Sequence, residues 1–185
     1  MSLLRKQLIK YLDNISLENK SIADVGCGTR PVSKYIRHKN CTFTTFDIEE
    51  KHKPDKIIDL SKNILMSVNI GMSENYFDIV FCIEVLEHIK NTMQALKNLH
   101  FLLKTGGTMY LSLPFFCPIH GNSDYFRFVP AGIKNILLDI GFKDIEITEF
   151  KISKGKEAID KFLSLEQYEA SKNRYLLTSI IKATK

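Results

Sequence analysis

The sequence has no apolar stretch long enough to span a bilayer, and its first ten residues interleave leucines with Arg5, Lys6 and Lys10 instead of forming a signal-peptide core. A cytoplasmic protein is therefore expected. It has no C-x-x-C pair: the four cysteines, Cys27, Cys41, Cys82 and Cys117, are widely spaced, which argues against a structural zinc or redox centre and for reduced thiols. It has no basic run either. The net charge of +5 comes from lysines scattered along the chain, so nucleic acid is not an expected partner, although the basic balance suits an acidic substrate. Internal repeats and low-complexity segments are absent too. What is left, 185 residues with 44% hydrophobic and 25% charged side chains, is the composition of one ordinary globular unit, so a single domain over residues 1–185 is expected. The oligomeric state is left open.

Strand and helix patterns alternate along the chain. Leu4, Leu8, Ile9, Leu12 and Ile15 recur at helical spacing among polar residues and predict an N-terminal amphipathic helix. Ser21 to Val25 and Thr42 to Phe46 read as buried strands stopped by Gly26 and Asp47. Between them a short helix opened by Pro31 is expected, with Val32, Tyr35 and Ile36 facing inward. Lys56 to Asp59 reads as a third strand and Phe77 to Ile83 as a central parallel one. A helix follows, capped at Asn91 and Gln94, carrying Ala95, Leu99, Leu102 and Leu103 inward and stopped by Gly106-Gly107. Thr108 to Leu113 is the fifth strand, and Ile133, Ile136, Leu137 and Ile140 mark a helix ended by Gly141. Ile145 to Phe150 and Leu176 to Ala183 read as two late strands around a charged helical stretch at Lys156 to Ser171. The fold class expected is α/β: a three-layer Rossmann-like sheet, mostly parallel with one antiparallel edge strand, binding ligands at the carboxyl ends of its strands.

The segment Asp24-Val25-Gly26-Cys27-Gly28-Thr29-Arg30 falls where the first strand of that pattern turns, the place where a nucleotide-like ligand meets bare backbone. Asp47 follows about twenty residues later, the spacing at which a carboxylate accepts hydrogen bonds from ribose hydroxyls. A dinucleotide fingerprint would want a third glycine where Pro31 stands, a requirement that a ligand without a pyrophosphate escapes.

The loop resembles motif I of class I S-adenosylmethionine-dependent methyltransferases, matching at Asp24, Gly26 and Gly28, with Arg30 where that family often has a further glycine. The likeness extends to Asp47, to Asp59-Leu60, to Cys82 through His88, to Leu103 through Gly107, and to Ile180 through Lys185. It implies S-adenosyl-L-methionine as cofactor, with Asp24, Gly26, Cys27, Gly28, Asp47, Ile48, Asp59, Leu60 and Cys82 on the cofactor side.

Methyl transfer is an in-line displacement in which positioning does much of the work, and a hydroxyl acceptor gains from a general base. Glu84, Glu87 and His88 are spaced to share one helix face, and some small-RNA terminal 2'-O-methyltransferases use a similar Glu-x-x-Glu-His pattern, completed by a later histidine, to bind a metal. His120 would be that histidine. The same Glu-His pair occurs widely in methyltransferases not known for a metal, and no metal is assigned here. The stretch Pro114 to Pro130 resembles the loop of methyltransferases of polysaccharide and glycan biosynthesis; within it His120 is the candidate base, and Tyr125 and Arg127 are the candidate substrate binders. The plainer alternative is a packed lid whose Arg127 caps carbonyls. His38, His52 and His100 read as surface residues. The expected activity is methyl transfer to a small molecule or glycan intermediate, on oxygen. Its rivals are a metal-assisted RNA ribose methyltransferase and a non-catalytic cofactor-binding partner subunit.

Overall fold

The computed structural model describes residues 3–64, 74–115, 117, 119, 122–151 and 176–185. Its elements are α1 (Leu3–Leu12), β1 (Ser16–Glu18), β2 (Ser21–Val25), β3 (Arg37–Lys39), β4 (Thr42–Asp47), β5 (Lys56–Ile57) and β6 (Phe77–Ile83), then α2 (Thr92–Leu102), β7 (Leu103–Pro114), α3 (Pro130–Ile140), β8 (Lys143–Lys151) and β9 (Leu176–Thr184). Seven strands make one sheet in the order β5-β4-β2-β6-β7-β9-β8. All run parallel except β9, which is antiparallel to both β7 and β8 and gives that end of the sheet its mixed character.

Alternating side chains divide the core between the two faces of the sheet. One face carries Ala23, Val25, Met109, Leu111 and Ile181 under α2 and α3, which contribute Leu96, Leu99, Ile133 and Leu137. The other carries Ile22, Ile79, Phe81 and Ile180 under Leu8 and Leu12 of α1. α2 starts as its sequence dictates, with the Asn91 side chain accepting from Gln94 N at 3.3 Å. α3 ends at Gly141, whose φ of 110° only glycine adopts without strain and whose N–H donates to Leu137 O and Leu138 O.

Three local expectations are corrected. After Pro31 there is a single 3-10 turn, Val32–Lys34, and no α-helix. Asp24 Oδ2 accepts from Val32 N at 2.6 Å, and the chain is drawn almost at once into β3, which pairs in parallel with β1 as a separate two-stranded sheet. Too few residues lie between for a helix to nucleate. The third expected strand stops at Ile57, short of Asp59. Finally, α2 ends at Leu102, before Gly106-Gly107, because Leu103 already pairs with Phe77 of β6. Gly107 packs closely there, since a Cβ would lie 2.8 Å from Lys104 O. The stretch Lys156 to Ser171 lies outside the described residues.

Candidate active site

β2, β4 and β6 are registered so that Val25, Phe46 and Cys82 lie side by side, and their carboxyl ends open where the chain order reverses across β2. The glycine loop leaves β2 here. Gly26 N and Cys27 N donate to Phe46 O at 2.7 and 3.1 Å, which folds the loop back over β4. Gly26 has φ +75°, and a Cβ on it would sit 2.3 Å from Val85 Cγ2. Gly28, at φ +53°, would project a Cβ into open space. That space is a bent groove. Its larger chamber, about 540 Å³, is bordered by Asp47, Ile48, His52, Asp59, Leu60 and Tyr125. Its smaller one, about 250 Å³, is bordered by Arg5, Asp24, Cys27, Arg30 and Tyr35. Gly26, Gly28 and Glu84 border both.

Each carboxylate of the groove is held from behind. Asp47 Oδ2 accepts from Gly28 N at 2.8 Å and Oδ1 from Glu49 N at 2.9 Å. Burial pushes this carboxyl up, but the Glu49 and Gly28 N–H groups and nearby His52 together hold it below the usual carboxylate range. Asp59 Oδ1 accepts from Ser61 N and Oγ at 2.9 and 2.6 Å. Burial pushes the Asp24 carboxyl up to about 6, opposed by the Val32 N–H and aided by the neighbouring Asp47. The thiol of Cys27 rises to about 11 through burial and the same two aspartates, which suits a packing residue and not a nucleophile.

The segment after β6 does not form the expected helix. Glu84 adopts φ +57°, and a 3-10 turn covers Leu86–His88, so Glu84, Glu87 and His88 do not share a helix face. Glu84 borders the groove; its N–H donates to Ser112 Oγ, whose hydroxyl donates to Glu84 Oε1 at 2.8 Å. Glu87 points inward, fully buried, with neither carboxyl oxygen hydrogen-bonded. His88 Nδ1 is 2.8 Å from Ser123 O, a carbonyl that only accepts, so this nitrogen carries a proton. Among the described residues no three His, Cys, Asp or Glu side chains are grouped to hold a metal ion.

The loop beyond β7 returns to this turn, with Tyr125 N and Phe126 N donating to Glu87 O at 2.9 and 3.3 Å. Tyr125 stands at the mouth of the groove with Lys90 Nζ 5.1 Å from its ring centroid. Arg127 is turned to the loop itself: it makes a two-pronged pair with Asp124, at 2.7 Å for Nη2, and donates to Phe126 O. Arg127 is not among the residues that border either chamber. Cys82 does not border the groove; it lies in the core beneath, where burial drives its thiol far up. His120 lies outside the described residues.

Two groove residues escaped the sequence reading. Arg5 of α1 borders the smaller chamber, with Nη2 3.4 Å from the Tyr35 hydroxyl and its guanidinium over that ring. Its signal was a charge in the apolar stripe of Leu8 and Leu12. His52, read as a surface residue, instead reaches back to Asp47, Nδ1 to Oδ1 3.2 Å. No pattern announced it.

A family model described as a methyltransferase domain matches residues 2–131. A ubiquinone biosynthesis O-methyltransferase of Coxiella burnetii is 26% identical over 96% of this chain and 80% of its own. Among solved structures, a SAM dependent methyltransferase from Archaeoglobus fulgidus superposes with a TM-score of 0.61 at 18% identity, over 97% of this chain and 90% of that one. Phosphoethanolamine N-methyltransferase 2 of Haemonchus contortus, in complex with S-adenosyl-L-methionine, gives 0.59 at 17% identity, over 100% of this chain and 53% of that one.

Proposed function

Because the chain belongs to the methyltransferase-domain family, we propose that it moves the methyl group of S-adenosyl-L-methionine to a hydroxyl of a small molecule or glycan intermediate, with residues 1–185 acting as one domain. The cofactor supplies a methyl carried on a sulfonium. The protein's part is to hold donor and acceptor in line and dry.

One observation carries this reading: Asp47, at the end of β4, accepts from the bare backbone of Gly28 at 2.8 Å and borders the larger chamber, where a ribose would meet its carboxylate once the His52 ring turns aside. Ile48, Asp59 and Leu60 then wall the adenine. In the smaller chamber Asp24 faces the methionine ammonium, and Arg5 and Arg30 face its carboxylate. Cys27 packs the turn between the two ends. Oxygen as acceptor is supported by the likeness to the O-methyltransferase of Coxiella burnetii, and Tyr125, which borders the larger chamber, lines the acceptor's side on this reading. His120 is the proposed base for that hydroxyl.

Calorimetry with S-adenosylmethionine, followed by transfer of labelled methyl to a panel of catechols, nucleotide sugars and glycan intermediates, tests it. Asp47→Ala is expected to weaken cofactor binding at least about tenfold. His120→Ala is expected to lower turnover about 10²- to 10⁴-fold while leaving cofactor affinity intact. A folded protein that binds no cofactor would end the proposal, and cofactor binding with transfer only to amines would end the oxygen assignment.

A further inference from the structure

A carboxylate offers about four lone-pair positions. Asp47 gives one to Gly28 N–H and one to Glu49 N–H. His52 stands against the same oxygen that serves Glu49, so little is left for the two adjacent hydroxyls of a ribose. The position of this ring is built into the chain. Directly after β4, His52 N donates to Glu49 O at 3.0 Å and Lys53 N to Glu50 O at 2.8 Å, and Lys53 turns left-handed at φ 55°. This tight 3-10 turn swings the ring back over the strand end it has just left, where it borders the larger chamber with its side chain only 22% exposed. Its Nδ1 is buried beside Asp47 yet makes no well-aligned hydrogen bond. At 3.2 Å from Asp47 Oδ1 the contact strengthens when the ring is a cation.

We propose that His52 is a latch on Asp47 that competes with the cofactor's ribose for this carboxylate and closes more tightly as the ring takes up a proton. The latch rests on the reading of Asp47 as the ribose acceptor. A neutral ring turns aside to admit the ribose at small cost, whereas an imidazolium must first be separated from its counter-charge. The other charged or titratable groups of its turn and of the chamber it borders are Glu49, Glu50, Lys51 and Lys53 in its own turn, Asp59 beyond β5, and Glu84, His88 and Lys90 beyond β6. Asp24 lies behind Asp47 on β2 and changes charge in the same pH range, so the latch is isolated by variants and not by the parent's pH profile alone.

S-adenosylhomocysteine is titrated calorimetrically at about pH 5.5 and about pH 8 into the full chain and into His52→Ala, His52→Gln and Asp47→Ala. The parent is expected to bind roughly threefold to tenfold more weakly at the acid end. Both His52 variants should bind more tightly than the parent there, by a similar factor, and lose most of the pH dependence. Weaker binding by His52→Ala at both pH values would make the ring a cofactor contact and overturn the latch, as would an unchanged pH dependence. A loss of binding in Asp47→Ala beside unaltered His52 variants would refute the latch and keep the ribose reading. Unchanged affinity in Asp47→Ala would remove both.

Discussion

Glu87 is buried with neither carboxyl oxygen hydrogen-bonded, and His88 Nε2, 3.7 Å from Oε1, is too far to replace the water that the carboxyl has lost, so it resists ionisation. Burial, and then the charge of Glu84, push its carboxyl up to about 8. A carboxyl whose folded-state value lies above its unfolded one draws the protein to the folded state while protonated. Its contribution is therefore full in acid and shrinks as pH rises from the ordinary glutamate range, about 4.3, to about 8, on the order of 1 kcal/mol per pH unit. Glu87→Gln should flatten the fall in melting temperature over that range and leave the variant more stable than the parent above pH 8; thermal melts across pH decide, and parallel curves would show that Glu87 ionises freely. At this scale the place of Asp24, Gly26, Gly28, Asp47 and Asp59 beside one groove is legible in the sequence, because a tight turn after a strand needs glycine and the carboxylates stand at or just beyond strand ends; their roles toward a cofactor belong to the proposal. Arg5 and His52 are not legible in this way, since each reaches the groove through packing with residues distant in sequence or through a turn whose direction no side-chain pattern encodes.

Among the elements, α2 does more than cover the sheet. Asn98, buried on its inner face, donates to Leu60 O and Lys62 O at 2.9 and 2.7 Å and so pins the segment that carries Asp59. Asn98→Ala strands two carbonyls and should cost about 1–3 kcal/mol of stability. It should also weaken cofactor binding several-fold, because the proposed adenine wall at Asp59 and Leu60 loses its support; denaturant unfolding and calorimetry read the two effects, and a stable variant with unweakened binding would mean that the segment is held elsewhere. The segment after β6 makes a different forecast. Glu84 is pinned to Ser112, Glu87 faces the core and His88 meets Ser123, so methyl transfer should survive exhaustive chelation, and activity lost to a chelator and restored by magnesium or manganese would contradict that geometry. The helices with strong apolar periodicity, α1 and α3, are legible in the sequence. The turn at Val32–Lys34 is not, because a local preference for helix loses to the bond between Asp24 and Val32.

For the molecule as a whole, the three-layer sheet followed from alternating patterns, yet strand order did not, since pairing among strands distant in sequence leaves no local mark. The register predicts a gradient of protection in hydrogen exchange: slowest in β2, β4, β6, β7 and β9, which are paired on both sides, and fastest in the two-residue edge β5 and the separate β1–β3 pair. Equal protection across all strands would refute it. The place of β9 between β7 and β8 also sets a timetable for the nascent chain. β8 leaves the ribosome before β9, but among the described strands its one partner is β9, so β7 and β8 must wait with open edges until β9 arrives and joins them. During translation, then, the site-bearing strands β2, β4 and β6 can assemble before the far end of the sheet is sealed.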